Sequence, residues 1–170
     1  MKVVAIIPAR YESSRLKGKP LADLCGRPMI WWVYQQVKKA KRISGVWVAT
    51  DDARIMDTCR QYDLACVMTS AKHKTSTERI YEAAGHIKAD VFVCVNGDEP
   101  LIEPRLVEQV IPQNGEPFFA RNLMTKIHHP VEAVDDSNIK VVTDTKGYAM
   151  YLSRSPIPHP KASLQYDYYK

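Results

Sequence analysis

Within one short stretch near its N-terminus the chain gathers Arg10, Ser13, Ser14, Arg15, Lys17 and Lys19. A run so dense in cations and hydroxyls suits a polyanion, because arginine offers a planar fork of donors to phosphate oxygens and lysine a compact point charge. Gly18 lies among them, and glycine enters freely the left-handed backbone conformations that let a turn wrap a phosphate. The segment reads as a triphosphate cradle; by composition alone a solvated basic loop has equal weight. Neither GxxxxGK[ST] nor GxGxxG occurs, so the P-loop and the dinucleotide-binding turn lose their main support. A second group of candidates is Asn96-Gly97-Asp98-Glu99-Pro100. There Asp98 is the choice for a hard cation such as Mg²⁺, which commonly takes one or two carboxylates together with phosphate oxygens and waters. A strand-ending aspartate is just as often a plain turn former.

The elements that would position these residues follow from hydrophobic patterning. Residues 2–9, KVVAIIPA, form an unbroken apolar run, the mark of a parallel strand buried on both faces. A polar loop follows, then a helix that has Pro28 in its first turn and Ile30, Val33, Tyr34 and Val37 at helical spacing. The unit repeats: strands are expected over 46–50, 64–68 and 91–95, with helices to about Tyr62, from Thr77 as N-cap to His86, and from Pro104 to about Val110. Alternating strands and helices predict an α/β fold, a Rossmann-like doubly wound, mostly parallel sheet with helices on both faces. Ligands of such sheets sit at the carboxyl ends of the strands, so the loops after residues 9, 50, 68 and 95 share one rim. Further on the rhythm loosens. Three strands, 118–125, 139–143 and 148–153, joined by turns at Gly115, His129-Pro130 and Lys146-Gly147, predict a mixed-sheet extension of a single domain spanning 1–170. The proline- and tyrosine-rich end has no pattern.

Composition narrows the function classes. With 170 residues, 45% of them hydrophobic and 25% charged, the chain is long enough for one well-buried domain. A net charge of +5 mildly favours anionic partners, but the basic residues are scattered, and the cluster Lys38, Lys39, Lys41 and Arg42 reads as the solvated end of a helix, so no nucleic-acid partner is expected. No apolar run approaches the roughly 20 residues of a membrane span, and a cytoplasmic setting is expected. The four cysteines lack metal or redox spacing and read as buried free thiols. His128, His129 and His159 read as surface turn residues, and Trp31 and Trp32, being adjacent on a helix, cannot both face one core. Asp51 and Asp52 either cap the next helix or assist at the rim.

The segments IIPARYESSRLKGKPLADLCGRPMI, ATDD at 49–52, MTSAKHKTSTER at 68–79, VNGDEPLIEP at 95–104 and IKVVTDTKGYAMYLSRSPIP at 139–158 together resemble the 3-deoxy-manno-octulosonate cytidylyltransferases, the CMP-Kdo synthetases. That resemblance implies CTP and a 2-keto-3-deoxy sugar acid as substrates, CMP-sugar and pyrophosphate as products, Mg²⁺ as cofactor, a role in lipopolysaccharide precursor synthesis and a homodimer. It implies catalytic roles for Arg10, Lys19 and Asp98, with Asp98 the metal ligand. It also implies substrate contacts from Ala9, Arg10, Ser13, Arg15, Lys19, His73, Thr77, Arg79 and Asn96. The chain departs from the family pattern at Lys17, where the pattern has proline, at Ser70, Thr75 and Ser76 in the 68–79 segment, and at Asn96, where glutamine is usual. The family's chains are expected to continue past Lys170 with sugar-acid contacts and a second metal carboxylate. The alternatives are a CTP-binding chain without turnover and a cytidylyltransferase for another sugar acid.

Overall fold

The computed structural model describes residues 1–12, 16–113, 116, 120–159 and 168–170, which fall into two compact units, Met1–Arg121 and Asn122–Lys170. In the first unit the strands β1 (Val3–Ala9), β4 (Gly45–Thr50), β5 (Cys66–Met68) and β6 (Val91–Cys94) make one parallel sheet in the order β5-β4-β1-β6. Between β1 and β4 the chain forms a small antiparallel hairpin, β2 (Asp23–Leu24) and β3 (Arg27–Pro28), before the helix α1 (Met29–Lys38). Helices α2 (Ala53–Gln61), α3 (Ser76–His86) and α4 (Pro104–Gln109) complete the unit.

The unbroken apolar run of β1 has the expected cause. Its side chains alternate between two cores, and Val3, Val4, Ala5, Ile6 and Ile7 are all buried. Val3, Ala5, Ile7 and Ala9 pack with Ile30, Val33 and Val37 of α1, Ile55 and Cys59 of α2, and Val107 of α4. Val4 and Ile6 pack on the other side with Ala83 of α3. Helices therefore cover both faces, as a doubly wound sheet requires. Burying one such isoleucine fully is worth about 1.5–3 kcal/mol.

The direction of winding reverses at β1. From this central strand the chain adds β4 and then β5 on one side, and crosses back to add β6 on the other. The crevice between the carboxyl ends of β1 and β6 is the topological switch point, where open α/β sheets bind ligands. Gly97 lets the two strand ends close up, because a Cβ at that position would lie 3.0 Å from the Pro8 carbonyl oxygen.

The second unit holds helix α5 (Pro130–Val134) and an antiparallel pair, β7 (Lys140–Thr143) and β8 (Ala149–Ser153), which forms a two-stranded sheet of its own. Its small core is Ile127, Ala133 and Tyr168. Lys140 is buried there, and its ammonium donates to the carbonyls of Asp135 (2.7 Å) and Asn138 (2.8 Å).

Several expectations are corrected. No regular strand forms over the described residues 120–125 of the strand expected at 118–125; only its last residue pairs, Thr125 exchanging both backbone hydrogen bonds with Lys170 (2.8 and 2.9 Å) next to the Lys126–Tyr169 bridge, while Phe118 and Phe119 lie outside the described residues. His129-Pro130 opens α5 instead of a turn, with proline in the first helical position where its missing N–H costs nothing. The N-cap of α3 is Thr75 and not Thr77: the Thr75 hydroxyl accepts from the Glu78 amide while the Glu78 carboxylate accepts from the Thr75 amide, a capping box. All four cysteines are free, but Cys25 and Cys94 are exposed. Arg42 is more than a solvated helix end, since its guanidinium donates to the carbonyls of Ile111 (2.9 Å) and Pro112 (2.6 Å). Among the described residues no helix is long and apolar enough to cross a membrane.

Candidate functional site

Four strand ends deliver their loops to one rim. The loop after β1 begins at Arg10 and closes at Gly18, whose amide donates to the Tyr11 carbonyl at 2.7 Å and whose φ of 68° places it in the left-handed region. A Cβ there would meet the Tyr11 ring at 3.1 Å, tighter than ordinary contact, so the left-handed backbone and the close ring both favour glycine. Lys19 and Pro20 then form a short helical turn. Of the residues expected to touch phosphate, Ser13 and Arg15 lie outside the described residues. Arg10 is half-buried, and its Nε and Nη2 atoms are buried without a hydrogen-bond partner. Unpaired buried donors on a cation are costly, and an anion at this rim would satisfy them.

Across the switch point, Lys19 Nζ lies 2.6 Å from Asp98 Oδ2, with the two side chains 33% and 45% exposed. Residues 79 apart in sequence thus meet at the crevice where a ligand of this fold sits. Asn96 turns its amide to Glu99, donating from Nδ2 to Oε1 at 2.9 Å. Asp98 suits a hard cation by type and by exposure. Among the described residues no group of three or more potential metal ligands occurs.

The loop between β5 and α3 carries His73, and the first turn of α3 carries Thr77 and Arg79. Thr77 is exposed on the first turn of α3. Arg79 lies beneath the rim: it is fully buried, its Nη2 donates to Asp51 Oδ2 at 2.6 Å, and its Nη1 donates to the Thr69 hydroxyl at 2.5 Å. In this arrangement Arg79 ties the ends of β4 and β5 to α3, with its side chain closed to solvent. Asp51 is thereby assigned to Arg79, while Asp52 caps α2 by accepting from the Arg54 amide. The Arg54 side chain beside it holds the Asp52 carboxyl below its ordinary range. His73 Nε2 meets the Glu82 carboxylate, and Glu82 also accepts from the Ser70 amide at 2.9 Å. The bond from the Ser70 amide, then that from His73, lowers the Glu82 carboxyl below its ordinary value. Sequence reasoning passed over Glu82, although its place on the same helix as Glu78 and Arg79 put it within reach of the same loop.

The two tryptophans of α1 resolve simply. Both are half-buried and stack edge to face at 4.8 Å. Trp32 donates to the Leu24 carbonyl, and the Arg27 guanidinium sits over the Trp31 ring, so both pin the β2–β3 hairpin.

The sequence profile of the family described as Cytidylyltransferase matches residues 4–170. The chain belongs to this family. It is 46% identical over 164 residues to the 3-deoxy-manno-octulosonate cytidylyltransferase of Trichlorobacter lovleyi, covering 93% of this chain and 64% of that protein. It is 39% identical over 170 residues to the enzyme of the same description from Escherichia coli, covering 99% of this chain and 69% of the relative. Among solved structures, CMP:2-keto-3-deoxy-manno-octonic acid synthetase complexed with CTP superposes with a TM-score of 0.90 at 39% identity, covering all of this chain and 71% of the other. A nucleotidyl transferase from Methanothermobacter thermautotroptrophicus, at 18% identity and a TM-score of 0.56, shares the fold. The chain spans about 64% of the length of the first curated relatives it matches.

Proposed function

We propose that this chain binds CTP at the β1–β6 crevice and supplies the nucleotide-binding part of a cytidylyltransferase that activates a 2-keto-3-deoxy sugar acid, 3-deoxy-manno-octulosonate, for lipopolysaccharide precursor synthesis. The observation that carries this reading is the pairing of Lys19 with Asp98 across the switch point, in a chain of the cytidylyltransferase family. Arg10, Ser13, Arg15 and Lys19 meet the triphosphate. Ala9, His73, Thr77 and Asn96 line the nucleotide, and Arg79 supports them from below. Asp98 would hold Mg²⁺. When bound, the cation lowers the pKa of the attacking hydroxyl and stabilises the departing pyrophosphate. The residues contribute positioning and charge neutralisation for in-line attack on the α-phosphorus, since this transfer needs no covalent intermediate on the protein. A homodimer and a cytoplasmic setting belong to the same reading, and the relatives' descriptions support the substrate pair.

Titration calorimetry with Mg²⁺ present tests it. CTP should bind more tightly than ATP. Equal affinities would show that base selection is lost, and binding of neither would overturn the cradle.

A further inference from the structure

The loop between β5 and α3 is held by two carboxylates one helical turn apart. Glu78 Oε2 accepts from the amides of Lys74 (2.7 Å) and Thr75 (3.2 Å) and so fixes the second half of the loop. Glu82 Oε2 accepts from the Ser70 amide and meets His73 Nε2, and so fixes the first half. The division of labour differs in one respect. Glu78 belongs to a capping box and is explained by helix α3 itself. Glu82 lies in the helix interior, bonds no group of its own helix among these contacts, and reaches back nine residues to one ring and twelve to one amide.

From this geometry we infer that Glu82 is a positioning residue for nucleotide binding, setting the path of the loop at Ser70 and the orientation of the His73 ring. The inference rests on the functional reading above, in which His73 lines the nucleotide. A ring held through Nε2 cannot turn about its χ angles without giving up the carboxylate, so Glu82 spares the ligand the entropy of ordering it. The charged groups around the ring are Glu82 and Glu78 of α3, the latter 4.0 Å from His73 Nδ1, with Lys72 and Lys74 alongside in the loop. Arg10, just past the end of β1, acts electrostatically on Glu78, which puts this loop on the same rim as the cradle.

Two measurements on Glu82→Ala and Glu82→Gln, each with a melting temperature as control, test the inference. Hydrogen exchange at the Ser70 amide should quicken in Glu82→Ala, while the Thr69 amide, bonded to the Thr50 carbonyl at 2.8 Å, keeps its protection. The Kd for CTP should rise about tenfold, the scale of one hydrogen bond to a charged group. Glu82→Gln, which keeps an acceptor oxygen, should give a rise of about threefold and remain folded even if Glu82→Ala does not. An unchanged Ser70 amide, or an unchanged Kd in both variants, overturns the positioning role. Failure of the unaltered chain to bind CTP overturns the functional reading and the inference with it, and is seen before any variant is made.

Discussion

Two ion pairs of the same length, 2.6 Å, stand at neighbouring strand ends and do opposite things. Arg79–Asp51 is buried, with the arginine side chain 0% and the aspartate 19% exposed, and it joins β4, β5 and α3. Lys19–Asp98 is open to solvent, and it joins the two loops that flank the switch point. A buried pair cannot release one partner without stranding the other in a poor dielectric, so it is permanent. An exposed pair is worth little, between zero and about 1 kcal/mol, and each partner can leave it at small cost. In the proposed reading, Lys19 and Asp98 exchange one another for a phosphate and a cation. In this rim, exposure rather than distance separates scaffold from site.

The largest effect expected from this contrast is on stability. Asp51→Ala should destabilise the protein by about 3–5 kcal/mol, because it leaves the Arg79 guanidinium buried and uncompensated. Urea denaturation measures it. A loss below about 1 kcal/mol would mean that Arg79 finds water or another acceptor, and the contrast between the two pairs would fail. Arg79 Nε, already without a partner, makes such a rescue harder.

Next in size is the effect of the open pair on binding. Lys19→Ala should leave the denaturation midpoint nearly unchanged yet weaken CTP by at least about tenfold, since it removes a charge-assisted contact to phosphate. CMP, which lacks the outer phosphates, should lose much less. Similar losses for the two nucleotides would place Lys19 elsewhere. Asp98→Asn should weaken Mg²⁺-dependent CTP binding while sparing the metal-free component, because a neutral amide is a poor ligand for a hard cation. Binding curves with Mg²⁺ and with a chelator separate the two.

Acid should find the same division. Asp52, Glu78 and Glu82 all titrate below their ordinary values: Asp52 through its bond from the Arg54 side chain, Glu78 through the amides of Lys74 and Thr75, Glu82 through the Ser70 amide and then His73. Each therefore binds its proton more weakly folded than unfolded. Their contribution to stability is complete above the ordinary carboxylate range and is lost as pH falls below it. The β5–α3 loop should loosen under those conditions before the sheet does, which residue-resolved hydrogen exchange would show; simultaneous loss would make the loop part of the global unit.

Much of this was legible in the sequence because it is written in contiguous pattern. The apolar run of β1 and the strand-ending Asn96-Gly97-Asp98 gave the parallel sheet and its ligand rim, since burial on both faces and glycine at a close approach leave local signatures. Contacts between distant residues left none. That Asp51 belongs to Arg79, 28 positions on, and that Glu82 holds His73 depend on how α3 lies over the sheet. The misplaced N-cap is different: Thr75-Ser76-Thr77-Glu78 spells a capping box, and the signal was present but credited to the wrong threonine. The β2–β3 hairpin turns through Cys25 and Gly26, both at positive φ, and a cysteine in that position is a weak advertisement for such a turn.

The smallest expected effect tests the contrast most directly, because it needs only salt. The Debye length shrinks from about 10 Å at 0.1 M to about 3 Å at 1 M, which screens charges that solvent can reach and leaves buried ones largely untouched. The stability difference between the unaltered chain and Lys19→Ala should therefore start below about 1 kcal/mol and close toward zero across that range. The difference for Asp51→Ala should hold, since the protein around Arg79 excludes the ions that would screen it. Sodium chloride suits the experiment better than sulfate, which strengthens burial and would also offer the cradle an anion. If both differences fell together with salt, water and ions would have to reach Arg79, and the contrast between the two pairs would fail. If neither fell, the Lys19–Asp98 pair would be shielded by its neighbours, and a nucleotide would have to break a far stronger contact to enter the crevice.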